Sequence, residues 1–221
     1  SIQTLKAKLD QSQILFFPGG FSAGDEPDGS GKFMATLFRN PYLSESLENL
    51  LYQRDGLALG ICNGFQALIK LGLLPSGHVQ ALTEDSPTLT HNTIGRHLSG
   101  MVQTKIISTH STWMSAMNVG DIYSVAISHG EGRFIASPEQ VAEFVKNGQI
   151  ATQYVDFEGR PTMDAHFNPN QSVAAIEGIF SPDGRVFGKM AHSERCGRGI
   201  AKNIPGQLEM PIFESGVKYF K

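Results

Sequence analysis

Cys62 is the residue of this chain with the clearest potential for covalent chemistry. It follows an apolar run, residues 57–59, and lies between Gly60 and Gly64. The segment after it, residues 65–71, has the composition of a helix. This pattern predicts a strand, a sharp turn and a helix, with the cysteine exposed at the turn. Glycines on both sides let the backbone bend there without Cβ clashes.

A cysteine at such a turn is placed for nucleophilic catalysis. The following helix would direct its N-terminus at the sulfur, which favours the thiolate, so we expect a lowered pKa for the Cys62 thiol. We also expect alkylation at neutral pH to reach Cys62 ahead of Cys196, the second cysteine. The backbone N–H of Asn63 would be placed to stabilise an oxyanion. The competing interpretation is a buried structural cysteine in an ordinary turn.

A nucleophilic cysteine needs a base, and the base needs a group that orients it. Two His-x-Glu triplets qualify, residues 129–131 and residues 192–194, and both follow β-like runs. In an extended segment, residues two apart point to the same side, so either histidine could bond its glutamate. The composition leaves the choice open, although Gly130 and Gly132 favour close backbone approach to a ligand at the first triplet. The other five histidines have no such partner.

A second oxyanion donor should come from a separate turn. Residues 18–21 (PGGF) end an apolar run, and Gly20 is the candidate because glycine lets a backbone N–H swing into a site. A plain strand-terminating turn is the alternative.

The elements that must position these residues form an α/β pattern. We expect a mixed, mostly parallel central sheet flanked by helices, with an antiparallel β extension in the second half. Ser44 is the expected N-cap of one helix, and residues 181–185 are a strong hairpin turn. The predicted helices are residues 2–9, 33–39, 44–53 and 138–145, and the predicted strands are residues 14–17, 101–108, 122–128, 134–136, 152–155, 173–179 and 186–190. Residues 21–32 and 75–100 are expected to be loops.

Composition narrows the possible functions. The 221 residues are 40% hydrophobic and carry a formal net charge of −3, which suits one domain and offers no basic field for nucleic acid or an anionic membrane. No apolar run reaches the length of a bilayer span, and no secretory signal is visible, so we expect a reducing cytoplasmic location. Two cysteines without a histidine cluster do not make a zinc site.

Four motifs in a fixed order resemble the class I, or triad-type, glutamine amidotransferases. The motifs are residues 17–25 (FPGGFSAGD), 60–66 (GICNGFQ), 129–133 (HGEGR) and 190–195 (MAHSER). Within that family the chain is most similar to the glutaminase domain of phosphoribosylformylglycinamidine synthase, in its long, fused form. The resemblance includes the tail, residues 211–220.

The resemblance implies a role for each site residue. Cys62 would attack the amide of glutamine and form a glutamyl thioester, and His192, oriented by Glu194, would act as acid and base. Backbone N–H groups of Gly20 and Asn63 would hold the oxyanion. The amino-acid end of glutamine would be bound by the following residues: Gln66, Ser128, His129, Gly130 and Glu131.

The resemblance also implies partners and a boundary. Ammonia would pass to an ATP-dependent synthetase, fused or docked, so glutamine is the expected ligand here and ATP and Mg²⁺ would belong to the synthetase. The family's domain begins with a strand–helix unit that precedes Ser1, so we expect residues 1–221 to be one glutaminase domain and a C-terminal fragment of a longer chain. The alternatives are a cysteine hydrolase or peptidase of the same architecture, and a glutaminase module that is silent without its partner.

Overall fold

A computed structural model describes residues 1–20 and 29–221 of the chain. Most of the predicted loop at residues 21–32 therefore lies outside the described residues. The α-helices are α1 (Ile2–Leu9), α2 (Lys32–Phe38), α3 (Pro41–Tyr52), α4 (Asn63–Lys70), α5 (Leu73–Ser76), α6 (Pro138–Lys146) and α7 (Ile212–Lys218). The strands are β1 (Ile14–Phe17), β2 (Leu57–Ile61), β3 (Thr88–Thr90), β4 (Leu98–Ile106), β5 (Ile122–His129), β6 (Arg133–Ile135), β7 (Ile150–Tyr154), β8 (Ile176–Phe180) and β9 (Val186–Lys189).

Seven of the described strands form one mixed sheet in the order β1-β2-β9-β8-β7-β4-β5. Strands β1, β2 and β9 pair in parallel, and the remaining neighbours pair antiparallel. A second sheet joins β3 to β6. The predicted fold class is confirmed: an α/β sheet with helices beside it, parallel where it carries the cysteine and antiparallel in the extension. Strands β8 and β9 are a hairpin closed by residues 181–185, as the turn residues predict.

The N-terminus of helix α3 differs from the prediction, whereas that of helix α6 agrees with it. Helix α3 begins at Pro41, and its N-cap is Asn40, whose side chain accepts from the backbone N–H of Tyr42 at 3.1 Å. The prediction of Ser44 as N-cap is wrong, because a proline is well tolerated in the first turn and Asn40 is a strong cap immediately before it. Helix α6 is confirmed, and Ser137 and Gln140 close a capping box at its start.

The sequence pattern did not predict three of the short helices and strands. Helix α5 and strand β3 lie in or beside the segment expected to be loop, and α7 lies in the C-terminal tail. The predicted strand at residues 173–179 begins only at Ile176, because residues 173–175 form a 3₁₀ helix. Elements of three to seven residues contain too few periods for hydrophobic spacing to reveal them.

The core is densest around the parallel strands. Every residue of β2 is buried, helix α4 packs on that strand and against α2, and α3 packs against α1. Helix α3 buries one apolar face, which comprises Leu43, Leu47, Leu50 and Leu51. None of the helices in the described part of the chain is both long enough and apolar enough to span a bilayer. Rigid packing on both sides of β2 fixes the turn that follows it.

Candidate active site

The turn between β2 and α4 holds Cys62 in a strained backbone conformation. Its φ and ψ are 54° and −109°, a combination that costs a non-glycine residue free energy and is characteristic of functional sites. Gly64 makes the turn possible, because a Cβ there would lie 1.9 Å from the carbonyl oxygen of Phe17. The predicted strand, tight turn and helix are confirmed, but the expected exposure of the cysteine is wrong, because Cys62 is buried. The neighbouring strand also holds the turn, since the Cys62 N–H donates to the carbonyl of Lys189 at 2.8 Å.

The Cys62 thiol is buried and surrounded by backbone dipoles. Hydrogen bonding from the backbone N–H groups of Asn63 and Gly20 acts to lower the pKa of the thiol, and the carbonyl oxygen of Ser128 lies 3.8 Å from Sγ. Two converging N–H donors beside a nucleophile are the arrangement of an oxyanion hole. Gly20 and Asn63, the predicted oxyanion donors, both line one cavity with Cys62.

The expected lowering of the Cys62 pKa is wrong. Burial raises the pKa of this thiol to about 11, and this effect outweighs the N–H groups of Asn63 and Gly20 and the charge of Arg195, which lower it. A helix N-terminus is visible in the sequence, whereas the desolvation that raises the thiol pKa depends on long-range packing. At neutral pH the sulfur therefore keeps its proton, and a base must remove it during attack.

His192 and Glu194 form a hydrogen-bonded pair near the cysteine. His192 Nδ1 lies 2.5 Å from Glu194 Oε1, and the backbone N–H of His192 donates to the carbonyl of Ala126 at 2.7 Å. A carboxylate at Nδ1 fixes the proton there and leaves the lone pair on Nε2. That nitrogen is buried and has no hydrogen-bond partner among residues 1–20 and 29–221, so it is available to accept a proton.

Gly19 brings the imidazole and the cysteine together. A Cβ at Gly19 would lie 2.7 Å from His192 Cε1 and 3.2 Å from Cys62 Cβ. Both side chains therefore lie against the same point of the main chain, and any larger residue there would displace the histidine. Glu194 remains ionised beside the imidazole: burial raises its pKa, but the hydrogen bond and charge of His192 outweigh this and the pKa is lowered overall.

A small cavity opens beside the thiol. Its lining comprises Gly20, Ser30, Cys62, Asn63, Gln66, Ser128, His129, Gly130, Glu131 and Arg195. Every residue that the sequence assigned to glutamine binding or to the oxyanion hole lies in this set. The cavity also brings an anion and a cation together, because Glu131 and Arg195 both line it.

Contacts among the lining residues show how the cavity is built. The side-chain amide of Gln66 donates to the carbonyl of Glu131. The carboxylate of Glu131 accepts from the N–H of Ser30 at 3.2 Å, which ties the start of α2 to the end of β5. Gln66 and Glu131 therefore hold two walls of the cavity together.

His129 occupies the inner wall as a neutral imidazole. Its side chain is buried, and neither ring nitrogen has a hydrogen-bond partner within the described ranges. Burial lowers its pKa to about 4, and the nearby charges of His192 and His97 act in the same direction. At neutral pH this imidazole is therefore a weak base and carries no proton to donate as an imidazolium.

Three residues of the site were missed from the sequence. Ser30 and Arg195 line the cavity, and Asn92 shapes it by donating to the carbonyl of His129 at 2.9 Å and accepting from the N–H of Gly132 at 3.1 Å. Arg195 directly follows the second triplet, and that proximity was a usable signal. Asn92 lies in an apparently featureless polar stretch, and only the fold brings it to the site. In the described part of the chain, no group of three or more His, Cys, Asp or Glu side chains could hold a metal ion.

A cysteine at a strained strand–helix turn, a buried histidine paired with a half-buried glutamate and two N–H donors define a cysteine-dependent acyl-transfer site on an α/β fold. The chain belongs to the CobB/CobQ-like glutamine amidotransferase domain family, whose model matches residues 1–220. The resemblance to class I glutamine amidotransferases is confirmed.

Two named proteins and one solved structure show the similarity in detail. The chain is 35% identical, over 97% of its length and 83% of the relative's, to phosphoribosylformylglycinamidine synthase subunit PurQ of Methanococcus maripaludis. It is 34% identical to phosphoribosylformylglycinamidine synthase of Drosophila melanogaster over 86% of the chain, which spans only 14% of that protein. Among solved structures it is similar to PurLQS from Thermotoga maritima, with a TM-score of 0.69 and 25% identity over 96% of this chain and 82% of that one.

Proposed function

We propose that this chain is the glutaminase unit of a phosphoribosylformylglycinamidine synthase. It hydrolyses glutamine to glutamate and ammonia, and the ammonia is used by an ATP-dependent synthetase that makes formylglycinamidine ribonucleotide in purine biosynthesis. One observation carries the proposal above all: the buried Cys62 thiol lies against two backbone N–H donors, and the His192–Glu194 pair meets it across Gly19.

The first half of the reaction forms a thioester. As Cys62 Sγ attacks the side-chain amide carbon of glutamine, His192 Nε2 takes the thiol proton. The carbonyl oxygen becomes an oxyanion and accepts hydrogen bonds from the N–H groups of Gly20 and Asn63. His192 then gives its proton to the departing nitrogen, the carbon–nitrogen bond breaks, and ammonia leaves behind a glutamyl thioester on Cys62.

The second half hydrolyses that thioester. His192 removes a proton from water, the resulting hydroxide attacks the thioester carbon, and the same two N–H groups hold the new oxyanion. Collapse of this intermediate expels the Cys62 sulfur, which regains its proton from His192, and glutamate is released. Glu194 keeps the imidazole in one tautomer and stabilises the imidazolium that forms twice in each cycle.

The amino-acid end of glutamine is recognised across the cavity. It carries one positive and one negative group, and the cavity presents Glu131 and Arg195 to them. Gln66 and the backbone of residues 128–130 complete the wall. We propose that the amino group faces Glu131 and the carboxylate faces Arg195. No nucleotide is needed for this half-reaction, and ATP and Mg²⁺ belong to the synthetase.

A synthetase partner follows from the same assignment. The Methanococcus relative is named as a subunit, and the Thermotoga structure is described as PurLQS. The chain spans about a seventh of the Drosophila protein, which supports a fused arrangement in some relatives. Glutamine-dependent amidation of formylglycinamide ribonucleotide by the full protein, abolished by Cys62→Ala but retained with added ammonium, tests this partnership.

Covalent labelling tests the site directly. A diazo-ketone analogue of glutamine is incubated with the full protein that carries this chain, with and without excess glutamine, and the peptides are identified by mass spectrometry. We expect one label on Cys62, blocked by glutamine and absent from Cys62→Ala. A label that glutamine does not block, or one that settles on Cys196, contradicts the proposal.

A further inference from the structure

A buried ion pair lies directly behind the His192–Glu194 segment. Lys189, the last residue of β9, and Glu177, the second residue of β8, have fully buried side chains, and Lys189 Nζ is 3.2 Å from Glu177 Oε1. Pairs of this kind contribute little net stability, because removing two charges from water costs about as much as their attraction returns. The position of the pair therefore calls for another explanation.

The pair holds both peptide groups of Ala191, the residue before the catalytic histidine. Glu177 Oε1 accepts from the Ala191 N–H at 2.7 Å, and Lys189 Nζ donates to the Ala191 carbonyl at 2.9 Å. Lys189 Nζ also donates to Ser193 Oγ at 2.9 Å. The ammonium thus binds the chain on both sides of His192.

The main chain of Lys189 reaches the nucleophile. Its carbonyl oxygen accepts the N–H of Cys62 at 2.8 Å. One residue therefore bonds to the cysteine turn through its backbone and to the histidine segment through its side chain. Glu177 is braced in turn, because its Oε2 accepts from the hydroxyl of Thr152 at 2.5 Å, and its carbonyl accepts the N–H of Met190 at 3.1 Å.

We propose that the Lys189–Glu177 pair is a positioning device that sets the location of His192 relative to Cys62. The idea rests on the proposed glutaminase mechanism, in which His192 must reach both the thiol and the departing nitrogen. An apolar pair of similar volume could fill the same space, but it could not bind the N–H and carbonyl of Ala191. Small displacements of a catalytic group reduce rates strongly.

The test distinguishes an effect on the position of His192 from an effect on the stability of the fold. In the full protein, Lys189→Met combined with Glu177→Leu removes both charges and both bonds to Ala191, so no unpaired charge is buried and the variant should fold. We expect some loss of thermal stability, because the Ala191 peptide groups lose buried partners. We also expect a KM for glutamine within about twofold, since the cavity is lined by other residues, and a kcat for glutamine hydrolysis about a hundredfold lower at a temperature well below unfolding.

Gln149→Met is the matched control. The amide of Gln149 is equally buried and bonds two carbonyls, those of Pro75 and Phe180, each at 3.0 Å, away from the cavity. It should lose stability and keep its kcat at a temperature well below unfolding. Thr152→Val, which removes one brace from Glu177, should lower kcat by severalfold with KM unchanged.

Two outcomes overturn the proposal. One is a double variant with the wild-type kcat. The other is a loss of kcat in Gln149→Met as large as that of the double variant, which would make the effect a consequence of general destabilisation. If the wild-type protein neither hydrolyses glutamine nor accepts the diazo-ketone label, the glutaminase assignment itself fails, and that result is distinct from both.

Discussion

The chain contains the same three-residue pattern twice, and the two copies behave differently. His192 and Glu194 bond to each other at 2.5 Å. His129 and Glu131 do not: the imidazole is buried without a partner in the described ranges, and the carboxylate turns toward the N–H of Ser30. Spacing alone therefore does not make a catalytic pair.

The backbone around each triplet explains the difference. His192 lies in a single bridge with Ala126, beyond the end of β9, where the chain is free to curl its glutamate back to the ring. His129 ends a regular strand and is followed by two glycines, and the ring packs on Gly132, whose added Cβ would lie 2.5 Å from Nδ1. In our proposal the second triplet, residues 192–194, supplies the base, whereas the first, residues 129–131, forms a wall of the cavity.

Replacing each histidine by asparagine gives the largest expected contrast. His192→Asn removes the only base in reach of the thiol in our mechanism, so kcat for glutamine hydrolysis should fall by about 10³-fold or more. His129→Asn should cost less than about tenfold, because the neutral imidazole only lines the cavity. Steady-state assays of both variants check this, and comparable losses would mean that the two triplets share the catalytic work.

Replacing Glu194 and replacing Glu131 should change different kinetic parameters. Glu194→Gln removes the orienting charge and should lower kcat by about 10²- to 10³-fold. Glu131→Gln should mainly raise the KM for glutamine, by about tenfold, because its carboxylate faces the bound amino acid in our proposal. The separation is measured as kcat against KM for each variant. A kcat effect of Glu131→Gln as large as that of Glu194→Gln would contradict these roles.

Much of the candidate site could be predicted from the sequence, and what could not be predicted has a physical reason. The elbow at Cys62 was predictable because glycines and an apolar run are local signals. The candidate oxyanion donors, Gly20 and Asn63, were suggested by similar local patterns and stay a prediction. The choice between the two triplets depended on the family resemblance, because side-chain direction at the end of a strand is set by neighbouring strands.

Long-range burial was the quantity that the sequence could not supply. It reverses the expected pKa shift of Cys62, and it hides Lys189, a residue type that is usually exposed, in the core beside the site. Asn92 could not be found for the same reason, since 37 residues separate it from the carbonyl that it binds.

Because the imidazole of His129 is buried, we predict that the free energy of unfolding depends on pH. This dependence should remain in the His192→Asn variant. The folded pKa of His129, about 4, lies below its ordinary value of 6.5, so the folded state favours the neutral ring. This contribution is complete above pH 6.5 and is lost as the pH falls from 6.5 to 4. The loss is about 3 kcal/mol. Denaturant unfolding of His129→Asn should show a flatter stability curve in this window, and a curve parallel to that of the wild type would refute it.

The smallest expected effect is a difference in the labelling rates of the two cysteines, Cys62 in the site and Cys196 outside the cavity. Burial raises the pKa of both thiols, that of Cys62 to about 11, but Cys62 is buried whereas Cys196 is partly exposed. The structure therefore reverses the expectation for a generic reagent: iodoacetamide at pH 7.5 should reach Cys196 severalfold faster than Cys62, because alkylation requires both access and thiolate. Reaction at Cys62 should rise as the pH approaches 11. The diazo-ketone analogue should invert the order, since it binds in the cavity and borrows His192. Peptide mass spectrometry over time measures both rates, and preferential reaction of iodoacetamide with Cys62 at neutral pH would show that the free site is more open and more acidic than its geometry indicates.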